Sequence, residues 1–322
     1  MKPILEDTFG RKHNYLRISL TDACNLRCLY CIPEEKMQVT PSHKMMSARE
    51  IFEISKIFVD KGVTKIRLTG GEPLVRSDAA EIIMALSTLP VELTISTNAV
   101  LADTFIDTFK KAGIQSVNVS LDTLDADEFY AITRRGDFHK IMDNIYLLLQ
   151  EGFDVKVNMV VMKGVNADKI NDFVEWTRLY PLHVRFIEFM PFAGNKWLWE
   201  KVFSLKEMLE KISTAFEIEK IDDKAHDTTK NYSVRGFKGK FGIISTMTAP
   251  FCGDCNRMRL TADGKMKNCL FSKEETDLLS AFRKQENILP LIEQCLQAKK
   301  AERGGQFDFE HIENRSMIRI GG

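Results

Sequence analysis

The chain has 322 residues, 44% of them hydrophobic and 28% charged, with 45 basic residues balancing 45 acidic ones. That length can bury a large core, and zero net charge argues against a broad nucleic-acid-binding face while leaving room for a local basic pocket. No apolar run approaches the roughly 20 residues that span a bilayer, and the first residues carry neither a signal nor a transit pattern. The expected location is therefore a reducing cytoplasm, where clustered cysteines bind metal or do redox chemistry.

Residues 15–20 alternate and predict a strand, with Arg17 inside it, that runs straight into a loop carrying Cys24, Cys28, Tyr30 and Cys31. The number of thiols on that loop is informative. A [4Fe–4S] cubane has four irons, so three cysteines leave one iron open. A structural zinc site wants a closed shell of four, so a zinc site completed elsewhere is the competing reading, as is a set of buried apolar cysteines.

Ser47, with Glu50 three residues on, predicts a capped helix to about Lys61, ended by Gly62. A strand at 64–68 leads into Gly70-Gly71-Glu72-Pro73. Then follow a helix at 77–87, a strand at 92–97, a helix at 103–112 closed by Gly113, and a strand at 116–121. A helix at 138–150, a strand at 155–161, a helix at 168–179 and a strand at 183–189 complete the series. This alternation, repeated about six times, predicts an α/β fold with a parallel sheet and right-handed crossovers. Function in such folds gathers at the C-terminal strand ends. The cysteine loop, residues 70–73, Thr97-Asn98, Ser120-Leu121-Asp122 and Glu188-Phe189-Met190 all fall at such ends.

After Met190 the alternation stops. A helix at 205–216 and short strands over 217–246 place a domain boundary near residue 215, with residues 1–215 as the barrel and 216–322 as a smaller α+β domain. Cys252 and Cys255 share a two-residue spacer, and a hairpin turning at Asp263-Gly264 would bring Cys269 back beside them. A zinc knuckle is the competing reading here too. Cys295 lies in an apolar helical pattern and is expected to pack inside. Arg257 and Arg259 alternate on one strand and share a face. With Arg17, Arg67 and Lys156, also placed in strands, they make a cation set that suits an anionic ligand, phosphate above all. The six histidines show no metal-ligand spacing among themselves.

The Cys24, Cys28 and Cys31 loop with Tyr30, together with Gly70-Gly71-Glu72-Pro73, resembles the radical S-adenosylmethionine (SAM) superfamily. The second signature of Cys252, Cys255, Asn256-Arg257-Met258-Arg259 and Cys269, with a terminal Gly321-Gly322, is similar to the MoaA family of GTP 3′,8-cyclases in molybdenum cofactor biosynthesis. That resemblance implies a partial (βα)6 TIM-like barrel of the radical SAM type and a smaller C-terminal domain with a second Fe–S cluster. It implies a [4Fe–4S] cluster on Cys24, Cys28 and Cys31, another on Cys252, Cys255 and Cys269, and SAM as cofactor, lined by Tyr30, Gly71, Ser120 and Met190. GTP would meet Arg17, Arg67, Thr97, Lys156, Arg257, Met258 and Arg259. Arg17, Gly321 and Gly322 would have catalytic roles, the last two as a tail reaching the active site. The reaction implied is a lyase step: a 5′-deoxyadenosyl radical takes the C3′ hydrogen of GTP, and closure at C8 gives (8S)-3′,8-cyclo-7,8-dihydroguanosine 5′-triphosphate. Further expectations are an external low-potential electron donor, hand-over of product to MoaC, a homodimer, and no nucleic acid or membrane partner. Where many relatives have Asn-Gly after the third strand, this chain has Asn98-Ala99, so the Thr97 loop is expected to differ, because a Cβ disfavours positive φ.

Overall fold

A computed structural model of the chain describes residues 5–31 and 39–321. Six parallel strands stand side by side in chain order. They are β1 (Tyr15–Ser19), β2 (Lys65–Thr69), β3 (Glu92–Thr97), β4 (Ser116–Ser120), β5 (Asp154–Val161) and β6 (His183–Glu188). Helices α1 (Ala48–Asp60), α2 (Ala79–Leu86), α3 (Ile106–Lys111), α4 (Ala126–Thr133), α5 (Phe138–Gln150), α6 (Ile170–Trp176) and α7 (Leu205–Ser213) fill the connections. The start of α1 shows why these residues fold this way. The Ser47 hydroxyl accepts from the Glu50 amide, and the Glu50 carboxylate accepts from the Ser47 amide. Ile51, Ile54 and Phe58 then fall on one buried stripe.

The strands alternate in chemistry. On β5, Val155, Val157, Met159 and Val161 are fully buried among the hydrophobic core residues. Lys156 and Asn158 point the other way, into the barrel. Arg67 on β2 and Arg185 on β6 are four strands apart, about 19 Å in a flat sheet. Their charges nevertheless act on each other. The sheet is therefore curled into a partial barrel with a polar interior.

The rest of the chain adds to both edges of this sheet. Strands β7 (Ile218–Lys220), β8 (Lys230–Val234) and β9 (Lys240–Ile244) extend it past β6, with β9 parallel to β6. Strands β10 (Arg257–Leu260), β11 (Lys265–Lys267) and β12 (Thr276–Asp277) extend it past β1, with β10 parallel to β1. Helices α8 (Leu278–Arg283), α9 (Leu289–Gln297) and α10 (Met317–Ile320) finish the chain, and Cys295 on α9 is buried. Among the described residues no helix is long and apolar enough to cross a membrane.

The Asn98-Ala99 turn takes the positive φ that a Cβ disfavours. Ala99 adopts a φ of 63° despite its Cβ. Its amide donates to the Thr97 hydroxyl at 2.9 Å and its carbonyl accepts from Asn144 Nδ2 at 2.7 Å, which pins the left-handed turn from both sides. Strain at such a residue costs about 1–2 kcal/mol. Burial of the methyl group, fully enclosed here, returns about 0.8 kcal/mol, and the smaller unfolded-state entropy of alanine returns a further 0.5–1 kcal/mol or so. The two sides nearly cancel. Ala99→Gly is therefore expected to change stability by less than about 1 kcal/mol in urea titration. A gain well above that would show the turn to be truly strained.

Candidate active site

Two three-cysteine sets lie at opposite ends of β1. Cys24, Cys28 and Cys31 follow its C-terminal end. Cys252 and Cys255 immediately precede β10, whose Arg257 pairs in register with Tyr15 at the N-terminal end of β1. The second set thus departs from the rule that barrel sites gather at C-terminal strand ends.

The first loop is braced from behind by the Gly70-Gly71-Glu72-Pro73 turn. The Gly71 amide donates to the Thr21 carbonyl at 2.7 Å and the Glu72 amide to that of Ala23 at 2.8 Å. A Cβ on Gly71 would stand 2.4 Å from the Ala23 oxygen, so only glycine permits this approach. Glu72 is buried and accepts from the Asn98 amide at 2.6 Å, the Thr97 hydroxyl at 2.7 Å and the Leu74 amide at 3.1 Å. Burial raises its carboxyl to about 7, against those three donors. The Tyr30 hydroxyl donates to Asp122 Oδ2 at 2.6 Å, and burial lifts Asp122 to about 6. Burial likewise raises the thiols of Cys24 to about 11 and Cys31 to about 12, and lifts that of Cys28 well above its usual value. Such thiols stay protonated on their own, whereas an iron cluster takes them as thiolates in exchange for those protons. Three soft ligands on one short loop fit a [4Fe–4S] cluster with an open iron. Met190 packs in an apolar group with Tyr30 and Ile320, and Ser120 is exposed at the end of β4.

The barrel interior between the two sets is cationic. Arg17 pairs in register with Arg67 on one side and with Arg259 on the other. Burial pushes Arg17 down to about 10 and Arg185 to about 9, and Arg259 falls well below its usual value. Burial alone would raise the Tyr15 phenol, yet Arg67, Arg17, Lys65 and Arg257 bring it down to about 8. Lys156 donates to Ser116 Oγ at 2.7 Å and pairs with Asp154. Several buried atoms lack a partner within the described chain, among them Arg67 Nε, Arg185 Nε and Nη2, Asn118 Oδ1 and Asn158 Oδ1. The arginine nitrogens are donors and fit a ligand with many anionic oxygens, whereas the two asparagine oxygens can only accept.

Arg185 escaped the sequence reading. Its signal was present: it sits between Val184 and Phe186, two fully buried positions of a predicted strand, so it had to face inward. Two predicted contact residues have side chains engaged within the chain. Met258 is fully buried in the main core, register partner of Leu16, on the strand face opposite Arg257 and Arg259. The Thr97 side chain is occupied by Glu72 and the Ala99 amide.

In the second set, Cys255 Sγ lies 3.8 Å from Arg257 Nη2 and 3.7 Å from Lys299 Nζ. Burial would raise this thiol, but the two cations outweigh it and bring Cys255 to about 6. Burial raises Cys252. The C-terminal tail enters between the two sets. The Ile318 amide faces the Cys31 thiol and opposes the rise that burial imposes on it. The Gly321 carbonyl accepts from Arg259 Nη1 at 2.8 Å. Gly321 has a φ of 80°, and a Cβ there would meet Thr69 Oγ1 at 2.6 Å. Gly322 lies outside the described residues.

A curled six-strand barrel whose first strand delivers a three-cysteine loop against a Gly-Gly-Glu-Pro turn defines the radical SAM class of enzymes, whose cofactors are a [4Fe–4S] cluster and SAM. Residues 18–177 match the Radical SAM superfamily model and residues 182–304 the model named Molybdenum Cofactor Synthesis C. The chain is 44% identical to the mitochondrial GTP 3′,8-cyclase of Arabidopsis thaliana, covering 99% of itself and 84% of that protein. It is 41% identical to the GTP 3′,8-cyclase of Listeria monocytogenes, covering 92% of itself and 91% of that protein. It therefore belongs to the GTP 3′,8-cyclase family. Molybdenum cofactor biosynthesis protein 1 of Bos taurus is 45% identical over 98% of the chain, which spans only 51% of that relative's length. The solved structure of Streptococcus suis SuiB bound to S-adenosylmethionine shares the fold, with a TM-score of 0.63 at 17% identity over 85% of this chain and 67% of that one.

Proposed function

We propose that the protein is a GTP 3′,8-cyclase, a lyase that converts GTP to (8S)-3′,8-cyclo-7,8-dihydroguanosine 5′-triphosphate as the first step of molybdenum cofactor biosynthesis. The observation that carries this reading is the buried cation set between two three-cysteine sites, with unpartnered Arg67 and Arg185 nitrogens aimed into the barrel. Cys24, Cys28 and Cys31 hold the first [4Fe–4S] cluster and Cys252, Cys255 and Cys269 the second. The first cluster with SAM supplies a 5′-deoxyadenosyl radical for hydrogen abstraction. The chain's own share is positioning and exclusion of water. Gly71 lets the turn approach closely, and Glu72 offers a carboxylate for the SAM amino group. Tyr30, Ser120 and Met190 line the same end. Arg17, Arg67, Lys156, Arg185, Arg257 and Arg259 bind the triphosphate and the base. Met258 and Thr97 act through backbone and through Glu72. Arg259 holds the Gly321 carbonyl, so the tail closes the interior beside Arg17.

The functional division falls near residue 215, after the helix that follows the last barrel strand, with 1–215 generating the radical and 216–322 selecting the substrate. A reducing cytoplasm suits seven free cysteines. An external low-potential donor, MoaC as recipient of the product, and a homodimer belong to the same reading on the family resemblance alone.

Anaerobic reconstitution is expected to give about eight irons per chain, two cubanes of four. Incubation with SAM, GTP and a strong reductant should yield 5′-deoxyadenosine together with a cyclised nucleotide. If 5′-deoxyadenosine forms equally with any nucleotide, and no cyclised product appears, the substrate assignment fails.

A further inference from the structure

Near the second cysteine set the chain buries a lysine that no substrate or cofactor role accounts for. Lys299 follows α9 and is only 4% exposed. Its ammonium donates to the Arg257 carbonyl at 3.2 Å and approaches Cys255 Sγ at 3.7 Å. Burying a lysine is expensive unless an anion meets it. The nearest anionic group is the Cys255 sulfur, with that of Cys269 also close enough to act on the ammonium.

The segment that carries Lys299 is fixed to the cysteine loop. Arg11 Nη1 donates to the Cys252 carbonyl at 2.9 Å and to the Ala301 carbonyl at 2.8 Å, and Nη2 donates to the Lys300 carbonyl at 2.9 Å. Arg11 is itself held by buried Asp7, whose Oδ2 accepts from Nε at 2.6 Å. One guanidinium thus ties the loop before β10 to the turn after α9, across 241 and 290 residues of sequence. The Lys299–Cys255 contact is thereby built into the fold.

We propose that Lys299 is the charge partner of the Cys255 thiolate in the second cluster and sets that cluster's reduction potential, with Arg11 as the residue that positions it. The inference rests on the second-cluster reading above. A cluster that accepts an electron gains one negative charge. A fixed, water-excluded cation that donates to a ligating sulfur stabilises the reduced form more than the oxidised one. Lys299 acts through the Cys255 sulfur, so it is a positioning residue for redox poise.

The test uses the full chain with Cys24→Ala, Cys28→Ala and Cys31→Ala, which leaves the second set as the one iron site. Iron content and an electron paramagnetic resonance redox titration are compared for this parent, Lys299→Met and Lys299→Arg. The expected result is a full cubane in all three, a more negative midpoint in Lys299→Met, and a midpoint near the parent's in Lys299→Arg. Loss of iron in Lys299→Met with retention in Lys299→Arg also supports the proposal, since a cation is then what the site needs. An unchanged midpoint in iron-replete Lys299→Met overturns it, as does loss of iron in both variants, which would make Lys299 a packing residue. A parent that holds no iron overturns the second-cluster reading itself, and that outcome is distinct from the others.

Discussion

Gly71→Ala is expected to cost the protein its first cluster while sparing the second. The new methyl carbon would lie 2.4 Å from the Ala23 oxygen, 2.8 Å from the Ala23 carbonyl carbon and 2.8 Å from the Asp22 oxygen. All three are backbone atoms, so no side chain can swing aside to admit it. The Ala23 oxygen also accepts from the Glu72 amide at 2.8 Å, so pushing it away breaks a hydrogen bond. Overpacking costs about 1–3 kcal/mol and the hydrogen bond about 1 kcal/mol more. The strain falls on the residues leading into Cys24. Reconstituted Gly71→Ala should hold about four irons per chain in place of about eight, and SAM binding by equilibrium dialysis should be lost. Gly136 serves as the control, because a Cβ there has nothing within 4 Å and alanine should leave iron content unchanged. Full iron loading and SAM binding in Gly71→Ala would mean that the close approach of the two loops is dispensable.

Much of this site is legible in the sequence because its signals are local. Cys24, Cys28 and Cys31 are close in the chain, and with the Gly70-Gly71-Glu72-Pro73 turn they point to a cluster with an open iron. The Ser47–Glu50 box and the residues of β3 and α5 follow from rules that span a few residues. The helix α4 went unread although Asp125 caps it and Glu128 follows three on, because eight residues hold too little periodicity to stand out. What escaped otherwise is what distant pairing decides. Thr97 reads as a site residue, but only the fold shows that Glu72, 25 residues earlier, holds its hydroxyl. Ala99 reads as a break in a turn pattern until Asn144, 45 residues later, is seen to hold its carbonyl. Strands β9 and β10 are short and follow a change of pattern, so nothing local announces that they pair in parallel with β6 and β1. Lys299 and Arg11 carry no motif at all, since their partners are contributed by the fold.

Arg185→Met is expected to make the ligand-free protein more stable and to weaken triphosphate binding at the same time. Arg185 lies in the barrel interior with Nε and Nη2 unpartnered, and burial, with Arg67 and Arg17 nearby, already disfavours its charge. Replacing a buried charge with an apolar side chain of similar length is neutral or stabilising by about 1–4 kcal/mol. For a chain of this size each kcal/mol moves the melting temperature by about 2–4 °C. Binding moves the other way. A charge-assisted hydrogen bond contributes about 1.5–3 kcal/mol, so losing its donor weakens GTP roughly ten- to hundredfold. Lys156→Met is the informative contrast, because Lys156 already has Ser116 and the exposed Asp154 as partners, and its loss would leave the buried Ser116 hydroxyl without that donor. It should lower stability as well as affinity. The two variants are compared by thermal unfolding without ligand and by titration with GTP. If Arg185→Met destabilises the free protein, its charge is satisfied inside the fold, and the cationic interior is not stored for a ligand. A higher melting point joined to weaker GTP binding would instead show that the barrel carries uncompensated charge that the substrate's phosphates neutralise.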